Sequence, residues 1–96
     1  MQSNQVHIQC EYLGEGMFPS ESAIKIETVE GNCVSALVDK SLLKESDSKT
    51  FLRVTLVKST ENVSVCLLPI ETNSGSRWVR VSNNSILENC RELQLA

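Results

Sequence analysis

Ile24-Lys25-Ile26-Glu27-Thr28-Val29-Glu30-Gly31 is echoed forty-four residues later by Leu68-Pro69-Ile70-Glu71-Thr72-Asn73-Ser74-Gly75. Ile26-Glu27-Thr28 and Gly31 recur unchanged, and Ser41 and Leu43 return as Ser85 and Leu87. Six of the twenty positions in 24–43 and 68–87 are identical. Upstream, Ile8, Cys10 and Tyr12 stand at the same shift from Leu52, Val54 and Leu56, each set alternating with polar residues. Strict alternation marks a half-buried strand. A repeat of this length is one supersecondary unit used twice. The chain therefore reads as one domain over 1–96, with an internal repeat of 6–49 and 50–93.

Working outward, strands are expected over 5–13, 22–29, 33–38, 50–58, 62–70 and 77–82, with 91–95 as a closing strand. Gly14–Ser20, Glu30-Gly31-Asn32, Ser59–Glu61 and Asn73–Ser76 supply the turns, because Gly and Asn tolerate positive φ and Pro presets the backbone. Pro69 has no amide donor and predicts an edge or bulge at the end of its strand. Asp39–Glu45 reads as one or two helical turns capped by Asp39. Ser85-Ile86-Leu87-Glu88 matches a capping box. The expected fold is all-β: a small antiparallel barrel of about six strands, built from two strand-strand-short helix-strand units about a pseudo-twofold axis. An SH3-like barrel is the alternative connectivity.

Composition bounds the function. Ninety-six residues make a core of modest size. No apolar run approaches the roughly 18 residues of a membrane span, and no basic-then-apolar leader opens the chain. A soluble, cytoplasmic protein is expected. Cys10, Cys33, Cys66 and Cys90 are widely spaced and include no C-x-x-C pair. They read as buried free thiols, with no metal and no cofactor. Residues 1–39 carry six acids and one base, whereas 40–80 carry seven bases and four acids. Opposite-signed halves suit self-association. A dominant basic surface, the usual mark of a nucleic-acid binder, is missing.

Catalytic motifs are lacking too. His7 is the only histidine and has no evident nucleophile partner, Gly14-Glu15-Gly16 lacks the context of a dinucleotide loop, and Glu27 and Glu71 read as exposed strand carboxylates that could at most meet near the axis. The chain is not expected to be an enzyme. Phe18 and Phe51 read as core or loop packing. The repeat is broken at Arg77-Trp78-Val79-Arg80. With Val79 and Val81 inward, Trp78 and Arg80 share the outer face, and Trp and Arg are the residue types enriched at binding hot spots. Alternation alone leaves open whether Trp78 covers the core instead. The expectation is a non-enzymatic protein-interaction or regulatory module, homo-oligomeric or bound to a protein partner through Arg77, Trp78 and Arg80, with no membrane role. The alternative is a nucleic-acid-binding small barrel that adds Lys44, Lys49, Arg53 and Lys58. A third reading is an accessory or small-ligand-binding subunit.

Overall fold

Period-two alternation puts Ile8 and Cys10 on the inner face of β1 (Gln5–Glu15), and Leu52 and Val54 on that of β5 (Lys49–Ser59). These two long strands pair antiparallel, with Ile8 directly opposite Leu52. The structure, a computed structural model, describes residues 4–87. The other strands are β2 (Glu21–Glu27), β3 (Cys33–Asp39), β4 (Leu43–Ser46), β6 (Val63–Leu67) and β7 (Trp78–Ser82), with 3-10 turns at Lys40–Leu42 and Asn83–Ser85. The sheet order is β3-β2-β1-β5-β6-β7, with β4 alongside β5. The sheet is strongly curled into an antiparallel half-barrel, so the chain is a small all-β, barrel-like fold.

Both halves follow the same path about an axis through the Ile8–Leu52 pair. β1 and β5 have the same length and the same forty-four-residue offset. Each breaks register at an equivalent place, between Tyr12 and Gly14 and between Leu56 and Lys58. The bulged residues, Leu13 and Val57, are both about half exposed. Each half ends by crossing to the other: Leu43 of β4 pairs with Leu52, and Ile86 bridges to Ile8. A core shared between the halves follows, with Ile8, Ile24, Ile26, Leu52, Cys66, Leu68 and Val81 almost wholly buried. Fully burying one such aliphatic side chain is worth about 1.5–3 kcal/mol.

The offset is not constant, and this corrects the sequence alignment. Lys25 lies opposite Glu11 whereas Leu67 lies opposite Thr55, so β6 follows β2 at forty-two residues. Ile24 and Ala36 pair as Cys66 and Val79 do, so β7 follows β3 at forty-three. Beyond β1 and β5, the hairpin turn keeps forty-four: Thr28 and Thr72 each donate their amide four residues on, to Asn32 O and Ser76 O. Gly31 and Gly75, at φ of 88° and 86°, take the left-handed conformation that each turn needs. The equivalent of buried Ile26 is buried Leu68, while Ile70 is 42% exposed in the excursion that Pro69 begins. The Ile26/Ile70, Glu27/Glu71, Ser41/Ser85 and Leu43/Leu87 identities therefore do not mark equivalent positions. Glu27 and Glu71 are not axis-related.

Other expectations are also corrected. Residues 43–46 form a strand rather than a helical turn, because Asp47 and Ser48, at φ of 54° and 66°, make a two-residue hairpin that lays β4 on β5. The second 3-10 turn is capped by Ser82, whose hydroxyl accepts from Asn84 N at 3.2 Å; Ser85 is its last residue and no cap. Asp39 caps the first turn as expected, accepting from Ser41 N at 2.9 Å, and this bond holds its carboxyl below the ordinary value of 3.8. β6 stops at Leu67, and Pro69 sits in the excursion that follows. Cys33 is exposed rather than buried. Cys90, Glu88 of the expected capping box and the expected strand 91–95 lie outside the described residues.

Candidate functional site

β3 and β7 end the sheet, and the hairpin turns of opposite halves tie them together. Val29 N donates to Arg80 O at 2.9 Å; reciprocally, Asn73 N donates to Ser35 O at 2.8 Å and Ser35 N donates to Asn73 Oδ1 at 3.0 Å. A cleft opens on each side of this seam. One, about 530 Å³, is lined by Thr28, Glu30, Cys33, Val34, Val65, Trp78, Val79 and Arg80. Its pseudo-mate, about 360 Å³, has Ser35 and Leu37 where the first has Trp78 and Arg80. The divergence between the halves thus survives realignment, with Ser35 and Leu37 as the true counterparts.

Alternation along β7 explains the local arrangement. Val79 and Val81 are buried, so Trp78 and Arg80 face outward together, and Trp78 is 55% exposed. The indole therefore does not cover the core. Its strand is held firmly nonetheless: Ser76 Oγ accepts from Trp78 N at 3.1 Å, and Thr72 Oγ1 donates to Ser76 O at 2.9 Å. Arg80 forms an ion pair with Glu30 on the facing turn. The Thr28 hydroxyl and the residue's own backbone, and then Arg80, hold the Glu30 carboxyl below its ordinary value of 4.5. Both side chains of the pair are substantially solvated, so the pair contributes little to stability. Glu30 escaped the sequence reading because only folding brings its turn onto β7.

Arg77 does not join Trp78 and Arg80. Its Nε donates to Leu68 O at 3.1 Å, and it lines a different cleft of about 220 Å³ with Arg53, Leu42, Val54 and Pro69. Of the other basic candidates, Lys44 and Arg53 lie close enough to His7 to depress its pKa; burial of the imidazole is the larger cause. Lys49 and Lys58 stand near opposite ends of β5, about 30 Å apart at the usual strand rise. Lys44, paired opposite Phe51, stands between Lys49 and Arg53 on one face of the sheet, while Lys58 lies beyond the bulge at the far end of β5. Phe51 is buried and Phe18 is exposed in the β1–β2 loop.

The thiols divide by burial. Cys10 and Cys66 are buried, which pushes each up to about 11 and leaves them as inert core residues. Among the described residues, no group of three His, Cys, Asp or Glu side chains could hold a metal ion. Nor is any helix there long and apolar enough to cross a membrane. Comparison with protein-family models, with curated proteins and with solved structures finds no match to this chain.

Proposed function

We propose that this chain is a non-enzymatic protein-interaction module of the cytoplasm that engages its partner, a second copy or another protein, through the Trp78–Arg80 cleft. The observation that carries the reading is a half-exposed tryptophan on a firmly held strand, at a position where the equivalent strand has serine. Trp offers a large contact area with few rotatable bonds, so little entropy is lost when it is covered. Arg80 and Glu30 give the rim a polarised edge, where an incoming carboxylate can compete for the guanidinium. Val29, 41% exposed on the turn bonded to Arg80, adds apolar surface beside it.

The test is Trp78→Ala with Arg80→Ala. Neither side chain is buried, and the backbone bond from Val29 to Arg80 O survives both changes. Light scattering over a concentration series should show that association is lost while the thermal melt stays near wild type. Loss of the fold would assign Trp78 a structural role, and unchanged association would remove this site. A nucleic-acid role keeps a separate signature, an affinity that falls steeply with salt. The acidic total, a net charge of -3, speaks for ranking it second, although Lys44, Lys49 and Arg53 share one face.

A further inference from the structure

The smaller cleft has chemistry of its own. It is lined by Leu42, Leu67 and Pro69 above buried Val54 and Leu68, and by Arg53 and Arg77. Arg53 Nε donates to Gln5 Oε1 and Arg77 Nε donates to Leu68 O. Each Nε is thereby occupied, which orients the guanidinium plane and leaves its terminal nitrogens to donate elsewhere. Among the described residues no carboxylate lines this cleft and neither arginine belongs to an ion pair.

The pseudo-twofold supplies an internal control. The mate cleft, about 370 Å³, is built from equivalent strand positions, yet Gln9 stands where Arg53 does. Val34 occupies the strand position of Arg77, and the mate is lined by Glu11, Glu27 and Lys25, of which Lys25 pairs with Glu11 at 3.3 Å. The first half builds the same strand positions without either guanidinium. Two like charges gathered beside apolar side chains repel each other until an anion joins them. Guanidinium forks match the paired oxygens of carboxylate and phosphate.

We propose that the Arg53–Arg77 cleft binds an oxyanion, phosphate or carboxylate, carried on a small apolar body. The terminal guanidinium nitrogens hold the oxygens, and the partly exposed Leu42, Leu67 and Pro69 take the apolar part. This site lies apart from Trp78 and does not rest on the reading of that cleft.

The test follows the arginine Nε–H signals of the full chain by nitrogen-15 NMR, at constant ionic strength, during titration with phenyl phosphate, benzoate, inorganic phosphate or phenol. Saturable shifts at Arg53 and Arg77 with phenyl phosphate or benzoate are expected, and the stronger of the two identifies the headgroup. Phenol should do nothing, and inorganic phosphate should bind more weakly for want of an apolar part. Arg53→Gln and Arg77→Gln should each weaken binding at least tenfold. Arg53→Lys, which keeps the charge but not the fork, should weaken it as well, while Lys25→Gln, in the mate cleft, should leave it unchanged. Glutamine copies the residue already tolerated at Gln9, so Arg53→Gln keeps the test readable should Arg77→Gln fail to fold. Shifts that do not saturate, or a Lys25→Gln effect as large as the Arg53→Gln effect, would overturn the proposal.

Discussion

Asn83→Ala tests how the second half is held. The Asn83 amide nitrogen donates to Thr60 O at 2.9 Å and Glu61 O at 3.0 Å, and its Oδ1 accepts from Ser64 Oγ at 2.5 Å. Ser64 is wholly buried. The two exposed bonds contribute about 0.5 kcal/mol each, at the low end for such bonds, while a buried hydroxyl stripped of its acceptor costs about 1–3 kcal/mol. Ser59 Oγ, 3.3 Å from Ser64 Oγ, offers a partial substitute, which brings the expected loss to about 2–3 kcal/mol. For a domain of this size that is roughly 10–20 °C in melting temperature. Chemical denaturation of Asn83→Ala, Ser64→Ala and the double variant closes a cycle. The expected coupling is about 1 kcal/mol or more, because deleting Ser64 Oγ removes the orphaned hydroxyl. A loss under about 0.5 kcal/mol for Asn83→Ala, or strict additivity, would refute the idea that this network ties the 3-10 turn to the β5–β6 connection.

Alkylation of the native protein at pH 8 should label Cys33 rapidly and spare Cys10 and Cys66, whose thiols burial raises to about 11; equal labelling by mass spectrometry would contradict the assigned core. Burial, then Lys44 and Arg53, hold His7 below its ordinary 6.5. The unfolded chain therefore takes up this proton first, so the contribution to stability is whole above pH 6.5 and lost as pH falls through the folded value. His7→Gln should flatten that part of the stability profile, and an NMR midpoint at or above 6.5 would refute it. Ser48→Gly should stabilise by up to about 1 kcal/mol, since relief of about 1–2 kcal/mol of left-handed strain at Ser48 outweighs the roughly 0.4–1 kcal/mol of added unfolded-chain entropy; a loss of stability would argue against that turn.

Much of the architecture was legible wherever the period of two survives in β1 and β5. Those strands share length, offset and bulge, so phase alone located Ile8, Cys10, Leu52 and Val54 in the core. The offsets of β6 and β7 were not legible, because they depend on loop lengths: five residues join β1 to β2, but only three join β5 to β6. Matched letters such as Ile26 and Ile70 therefore concealed a shift in pairing. β4 was missed because Leu42-Leu43-Lys44-Glu45 suits a helical turn, and Asp47-Ser48 lacks the glycine that announces a two-residue hairpin. At the candidate site, alternation correctly put Trp78 and Arg80 on one outward face. The same rule sets Arg77 on the opposite face, with Val79 and Val81, so grouping all three arginine and tryptophan residues overlooked a signal already present.

The most direct measurement of the Trp78–Arg80 proposal is photo-crosslinking from the cleft itself. A benzophenone amino acid would replace Ser74, which lines that cleft, and irradiation would be performed in host cells. A probe at Asp47, on the β4–β5 turn, serves as the control. The account predicts a discrete adduct from position 74, at twice the chain mass if the partner is a second copy, that disappears when Trp78→Ala and Arg80→Ala are added. An adduct pattern identical to that of the control, or one indifferent to the two substitutions, would contradict it.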